Sequence, residues 1–304
     1  MNSQSRSSPE ASAAGYAENL WMCPECRQSL SAAAEEYYCA TCEFTLTEQS
    51  GIWSTDQSFV PDRFSHASRE HLHELESHHF WFKPRAKLFE RILLRRLRTR
   101  FQSVIELGCG NGSFLPFLAR ISDRVVGVEG HFPSLAFARQ SAPTTVTLLH
   151  GDVSSVPIQN GLFDLACVFD VLEHVSPEQF LAESRRLLKT DGLLLLSVPA
   201  FQSLWSHVDV RAGHRCRYQL EQAKTELQAA GFKVVGYTHY QFLLFPLVWL
   251  SRRLGSKQGR SSLEARPSSP LSRFLGLVNA FEVTMFSRFS LPFGSSLILL
   301  VEVS

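Results

Sequence analysis

The sequence predicts an α/β fold: an open, mostly parallel sheet with helices on both faces, preceded by a small cysteine module. Three observations carry this. Residues 104–113, Val-Ile-Glu-Leu-Gly-Cys-Gly-Asn-Gly-Ser, read as an apolar strand ending in an acid, Glu106, and a turn with glycine at alternate positions, Gly108, Gly110 and Gly112. Further short apolar runs follow in order, with helix-like segments between them. Two C-x-x-C pairs, Cys23/Cys26 and Cys39/Cys42, lie ahead of all of this.

Glycine lacks a Cβ, so the backbone of the 108–112 turn can bend sharply and a ligand can lie directly against it. Phe114 to Leu118 then read as the start of a helix. Strand, glycine turn and helix make a nucleotide-type site. A dinucleotide fingerprint reads G-x-G-x-x-G, whereas the spacing here is E-x-G-x-G-x-G.

The later runs fill in the sheet. Val125-Val-Gly-Val-Glu129 is a second strand ending in an acid. Glu129 lies about 20 residues past the glycines, where a carboxylate can accept ribose hydroxyls. His150-Gly-Asp152 ends a third run. Phe163 to Asp170 is a buried-type strand leading into Val171-Leu-Glu173-His174. Leu187 to Gly192 give a helix end and a turn, and Leu193 to Pro199 another apolar strand. Gly231 to Tyr237 and Ser296 to Val303 read as strands six and seven, closing the sheet as an antiparallel hairpin.

This ordered set resembles motif I and the following motifs of class I S-adenosylmethionine-dependent methyltransferases. The resemblance implies a Rossmann-like seven-stranded sheet and S-adenosylmethionine as methyl donor. Glu106, Gly108, Gly110 and Gly112 would form the floor of the donor site, and Glu129 would hold the ribose. Asp152 would face the adenine amino group, and Asp170 would lie with them at the fourth strand.

A chain of 304 residues suffices for one large domain and a small accessory one. A net charge of +1 implies no general attraction to nucleic acid. Residues 1–18 are rich in Ser, Ala and Gln without an apolar core, so the expectation is a disordered tail and not a secretory signal. The longest apolar runs are too short to span a bilayer. The expected location is the cytoplasm, with peripheral contact at the inner membrane face left open.

Residues 19–57 carry the cysteine pairs. Two such pairs on two turns let Cys23, Cys26, Cys39 and Cys42 converge on one tetrahedral Zn²⁺. Disulfides are the weaker reading in a reducing compartment. A unit this small lacks its own core, so the metal should supply much of its folding energy. It resembles the zinc ribbons that open some methyltransferases, ribosomal RNA guanine methyltransferases among them. Four cysteines leave no open metal position, so the expected role is structural or docking. Cys109, Cys167 and Cys216 lack such partners and read as small buried hydrophobes.

Residues 58–100 read as a helical, aromatic entry segment and cofactor lid. His78-His-Phe-Trp81-Phe-Lys-Pro-Arg85 resembles the H-F-W-F-x-x-R segment of a bacterial subgroup of these methyltransferases. By that resemblance Trp81 walls the donor pocket and Arg85 pairs with the methionine carboxylate; the plainer reading leaves Arg85 in solvent. His78 and His79 are adjacent and would diverge on a helix, which disfavours a metal. Arg91, Arg95, Arg96, Arg98 and Arg100 alternate with Ile92, Leu93, Leu94 and Leu97. The plain reading is a solvated helix face, the sharper one a surface for anionic lipid or RNA.

The acceptor side falls on residues 199–218, at the strand ends where open α/β sheets bind ligands. This stretch resembles the L-W-S-x-x-D-x-x-x-G-H-x-R-R-Y segment of the same subgroup, with Cys216 altering the arginine register. Methyl transfer is an in-line displacement at a sulfonium, helped by a base when the nucleophile is a hydroxyl. His207, His214 and His174 are the candidate bases, each with a plain reading as a hydrogen-bonded loop residue. Arg215 and Arg217 could bind a phosphate or carboxylate on the acceptor.

The domain reading spans 101–304 with a helical insertion at 241–292, unusually long for a hairpin between strands six and seven. It holds the run Phe242 to Leu250, then Arg252-Arg253, a polar linker, and a second apolar helix from Leu275 to Phe289. The alternatives are a cap over the acceptor, a dimer contact, or a membrane-surface element. The leading expectation is O-methylation of a small-molecule, glycan or lipid-linked acceptor. One alternative is an RNA base methyltransferase gripping RNA through the ribbon, against which stand the net charge and the lack of an N-P-P-Y type signature after strand four. Another is a non-catalytic cofactor-binding partner protein.

Overall fold

The apolar runs become strands in the computed structural model, which describes residues 20–33, 36–55, 80–97, 99–254 and 269–304. The cysteine module contributes β1 (Ser31–Ala33), β2 (Glu36–Tyr38), β3 (Thr45–Gln49) and β4 (Ile52–Ser54). Helix α1 (Phe82–Arg96) then leads into β5 (Phe101–Leu107), α2 (Leu115–Ile121), β6 (Ser122–Glu129), α3 (Phe132–Ser141), β7 (Val146–His150) and β8 (Phe163–Phe169). Next come α4 (Pro177–Leu187), β9 (Leu188–Pro199), α5 (His207–Ala212), α6 (Leu220–Ala229) and β10 (Phe232–Tyr240). The chain ends with α7 (Phe245–Leu254), α8 (Ser269–Phe286) and β11 (Ser296–Val303). The expected tail at 1–18, most of the entry segment with His78 and His79, Arg98, and the linker after α7 lie outside the described residues.

The order across the sheet is β1-β2-β3-β4-β7-β6-β5-β8-β9-β11-β10. Strands β5 to β9 run parallel, and β11 is antiparallel to both β9 and β10. Strand order reverses at β5, which lies between β6 and β8, and ligands of such sheets bind beyond the strand ends at that point.

Helices on both faces make these strands apolar throughout. Alternate residues enter two cores. Ile105, Val126, Val168 and Leu196 face α4 and α6, whereas Val104, Val125, Leu165 and Leu195 face α1, α2 and α3. Cys109 and Cys167 are buried among the second set, as expected of small hydrophobes. Leu165 is fully buried, so Leu165→Ala should cost about 2–5 kcal/mol. Helices α2, α3 and α4 each carry Pro in the first turn, where its missing N–H costs nothing.

The sheet has eleven strands and not seven. The seven expected strands are present, and the cysteine module continues them: β4 pairs in parallel with β7, Ile52 opposite Leu148, Trp53 opposite Leu149 and Ser54 opposite His150. Without β4, β7 would be an open edge, and open edges invite unwanted pairing. A second seam joins the module to the loop before β8, where Met22 N donates to the Pro157 carbonyl at 3.0 Å and Gln159 N to that of Leu20 at 2.9 Å. Leu20, Trp21 and Leu46 join the same core as Leu149, Val156 and Ile158. The module therefore shares the sheet's core.

The basic face of α1 is not simply solvated. Arg91 donates to the Val283 carbonyl at 2.7 Å and Arg95 to Ser287 Oγ at 2.8 Å, clamping α1 to the end of α8. The second apolar helix starts earlier and ends earlier than its apolar stretch suggested. The buried Glu282 anchors it by accepting the amides of Gln241 and Leu243, both at 2.8 Å. No helix among the described residues is long and apolar enough to cross a membrane.

Candidate functional site

Gly108, Gly110 and Gly112 have φ of 78°, 53° and 72°, the left-handed region that favours glycine. At Gly112 an added Cβ would also stand 2.7 Å from that of Ala138, so the turn packs directly on α3. Glu129, at the end of β6, accepts Gly110 N at 3.1 Å on one carboxylate oxygen and His131 N at 2.9 Å on the other. The acid thus buttresses the glycine turn. Glu106 is buried in β5 opposite Gly127 and Cys167.

Asp152 follows β7 and is exposed, its Oδ1 accepting Ser154 N at 2.8 Å. Gly151 N donates to the Glu129 carbonyl at 3.2 Å, which brings the Asp152 and Glu129 loops together. His150, which the sequence reading left without a role, ties them further. Its Nε2 lies 3.2 Å from the Gly130 carbonyl and its Nδ1 2.9 Å from Ser54 Oγ. A carbonyl only accepts, so Nε2 carries the proton and Nδ1 accepts from the Ser54 hydroxyl.

Arg85 is buried and not in solvent. Its guanidinium pairs with the Asp170 carboxylate and lies 3.7 Å above the centre of the Trp81 ring. Asp170, at φ 56°, also accepts Ser197 Oγ at 3.2 Å, while Tyr240 Oη holds the Trp81 carbonyl at 2.9 Å. Trp81, Arg85 and Asp170 therefore meet where β8 and β9 end.

The acceptor loop brings together some of its candidates and separates others. His214 and His174 lie edge to face, ring centres 5.0 Å apart, beside Glu173. His207 opens α5 and does not belong to this cluster. Arg217 is not available to an acceptor: it is 4% exposed and binds Asp209 at 2.7 Å and the Ala200 carbonyl at 3.0 Å. Arg215 remains exposed, with its guanidinium on the Val175 carbonyl at 2.7 Å.

Asp209 is the residue the sequence reading missed. Fully buried, it holds His214 Nδ1 at 3.0 Å, Arg217 at 2.7 Å and Arg252 at 2.9 Å. Burial works to raise its pKa, but the His214 hydrogen bond and the two arginines overcome this and hold the carboxyl below the usual range. Glu173 is the opposite case. Burial, and then the Asp170 charge, push its carboxyl well above the usual range. Beyond the end of β9, Phe201 stacks on His239 at 5.2 Å and meets Phe245 edge-on at 5.8 Å.

The four cysteines of the module have their Sγ atoms within 4.8 Å of one another, with Cys26 and Cys39 at 3.5 Å. The Thr41 amide on the Cys39 sulfur lowers that thiol to about 7. Four converging sulfurs with amide donors fit a tetrahedral thiophilic ion.

Comparisons with known proteins bear on the domain and its fold. Residues 105–196 match the family model of a methyltransferase domain. A probable S-adenosylmethionine-dependent methyltransferase of Mycolicibacterium smegmatis is 29% identical over 126 residues, which is 41% of this chain and 48% of that protein. A ubiquinone biosynthesis O-methyltransferase of Roseobacter denitrificans is 30% identical over 98 residues, 31% of this chain and 40% of that protein. The matched regions thus span about half or less of these relatives. Among solved structures, the complex between the Haloferax volcanii Trm112 methyltransferase activator and a methyltransferase aligns with TM-score 0.55 and 17% identity, over 80% of this chain and 97% of that one. A Bacillus halodurans methyltransferase aligns at 0.50 with 17% identity, over 71% and 97%. The chain therefore carries a methyltransferase domain, in the class I fold of S-adenosylmethionine-dependent methyltransferases.

Proposed function

We propose that this protein transfers the methyl group of S-adenosylmethionine to an oxygen of a small-molecule or lipid-linked acceptor. The observation that carries the donor half is Glu129 bonded to Gly110 at the point where strand order reverses. In this reading Glu129 holds the ribose, Asp152 the adenine amino group, and Trp81 with Arg85 the methionine end. Asp170 orients Arg85. Methyl transfer then needs chiefly that acceptor, methyl and sulfur be held in line.

The acceptor half rests on the contacting rings of Phe201, His239 and Phe245 and on the cluster of buried Glu173 with the half-buried His174 and His214. An aromatic or polyprenyl alcohol suits such a surface. The relatives named as ubiquinone biosynthesis O-methyltransferases support oxygen as the methylated atom. The zinc ion belongs to Cys23, Cys26, Cys39 and Cys42, in a structural role. Peripheral contact with an anionic membrane is assigned to α8, whose Phe274, Leu277, Phe281 and Met285 are 60%, 68%, 55% and 54% exposed beside Arg273 and Arg288.

Calorimetry with S-adenosylmethionine tests the donor half. Binding is expected, and Glu129→Ala should weaken it by about tenfold or more, the loss of a charge-assisted hydrogen bond. A chain that binds no S-adenosylmethionine ends this reading. Labelled methyl donor with a lipid extract then reads the acceptor class directly.

A further inference from the structure

We propose that Glu173, His174 and His214 form a divalent-cation site on the acceptor side of the pocket. Each offers one ligand atom, and these atoms all lie within 4.8 Å of one another. His214 Nε2 and Glu173 Oε1 are 4.0 Å apart, a span that two ligands each about 2.0–2.2 Å from one ion can cover.

The state of His214 follows from its neighbour. Asp209 accepts at Nδ1, so Nδ1 carries the proton and the Nε2 lone pair faces Glu173. A carboxylate behind an imidazole that points its other nitrogen at a metal is the usual support of a metal-binding histidine. Arg217 at 2.7 Å and Arg252 at 2.9 Å hold the Asp209 carboxylate in place behind that ring.

Glu173 supplies an independent observation. It is 1% exposed, and neither carboxylate oxygen has a hydrogen-bond partner. A buried carboxylate is costly unless something compensates it. The adjacent Arg215 gives its guanidinium to the Val175 carbonyl instead, and Arg217 turns to Asp209. A cation between Glu173 and the two imidazoles satisfies the group directly.

Two imidazoles and one carboxylate suit Zn²⁺, Mn²⁺, Fe²⁺ or Co²⁺ and leave coordination positions open. The role of the ion rests on the methyl-transfer reading; its binding does not. An acceptor hydroxyl on the ion loses its proton to water more readily. The O–C bond then forms as the S–C bond breaks, with the electron pair of that bond remaining on sulfur. His214 serves here as a ligand and not as the base.

The test is a Co²⁺ titration of the full chain, with bound metal counted by atomic absorption. The expected result is two cobalt ions per chain: one with the intense near-ultraviolet bands of thiolate ligation, one with only weak visible bands. Glu173→Gln and His214→Asn should each keep the thiolate bands and lose the second ion, weakening it at least about tenfold. A native chain that takes up only the thiolate-bound ion overturns the site, as do variants that still bind two. If Glu173→Gln does not fold, His214→Asn decides. Calorimetry with S-adenosylmethionine on the same samples separates the two readings: donor binding without the second ion sinks the metal site alone, and the second ion without donor binding sinks the transferase reading alone.

Discussion

The Ser54 hydroxyl donates to His150 Nδ1 at 2.9 Å, across the seam between the cysteine module and the methyltransferase sheet. His150 in turn holds the Gly130 carbonyl, one residue beyond Glu129, and Thr55 N donates to the His150 carbonyl at 3.2 Å. The module thus supports the loops that carry Glu129 and Asp152. The cysteine cluster on one side of β4 and the Glu129 and Asp152 loops on the other are thus joined through three residues of strand.

Loss of the ion from the module should therefore reach the donor site. Cys39→Ser is expected to lower the melting temperature and to weaken S-adenosylmethionine binding by about tenfold, near 1.4 kcal/mol. Calorimetry alongside a thermal melt checks both. A destabilised chain with unchanged donor affinity would mean that the seam holds the module in place without shaping the loops.

Gly112 should tolerate no side chain. An alanine there would adopt φ 72° and press on Ala138, combining a left-handed backbone of about 1–2 kcal/mol with overpacking of about 1–3 kcal/mol. Urea unfolding of Gly112→Ala is expected to show a loss in this range, with donor binding abolished in the folded fraction. Native-like stability would show that the turn relaxes freely, against its packing on α3.

The glycine turn, its contact with Glu129 and the cysteine cluster were legible because each is local. The glycine turn, Glu129 and the cysteine pairs each sit within one short run of sequence. What escaped depends on contacts between distant segments. The β4–β7 seam is a main-chain pairing, and Ile52 opposite Leu148 leaves no trace in periodicity. Arg217 reads as an exposed loop arginine until Asp209 and the Ala200 carbonyl enclose it. His207 and His214 are equivalent in sequence, and only the fold of α5 takes one away from His174 and brings the other to it.

His239 should make stability fall in mild acid. It is buried, with Nδ1 on the Leu291 carbonyl at 2.8 Å, and burial depresses its pKa below the ordinary value. The unfolded chain takes up a proton there near pH 6.5, while the folded chain resists it. The stabilisation is complete above that pH and is lost as pH falls through the lower folded value. Denaturant unfolding from pH 8 to pH 5 reads this slope. His239→Gln, which can still donate to Leu291 and does not titrate, should flatten it; an unchanged slope would move the effect to another group.

The stripe on α8 has an occupant that can be tested. Phe274, Leu277, Phe281 and Met285 recur at helical spacing on one exposed face, while Glu282 and Asn279 on the opposite side are buried. Arg253, Arg273 and Arg288 lie exposed on the same two-helix insertion, so apolar surface and positive charge occur together, as at the surface of an anionic bilayer. Co-sedimentation with phosphatidylglycerol vesicles should retain the chain at low salt and release it as salt rises. Phe274→Ser with Leu277→Ser should abolish retention and leave S-adenosylmethionine affinity unchanged, because both side chains lie on the exposed face of α8. A chain that ignores anionic vesicles, or a double variant that still sediments with them, would turn the stripe from a membrane contact into a surface for some other partner.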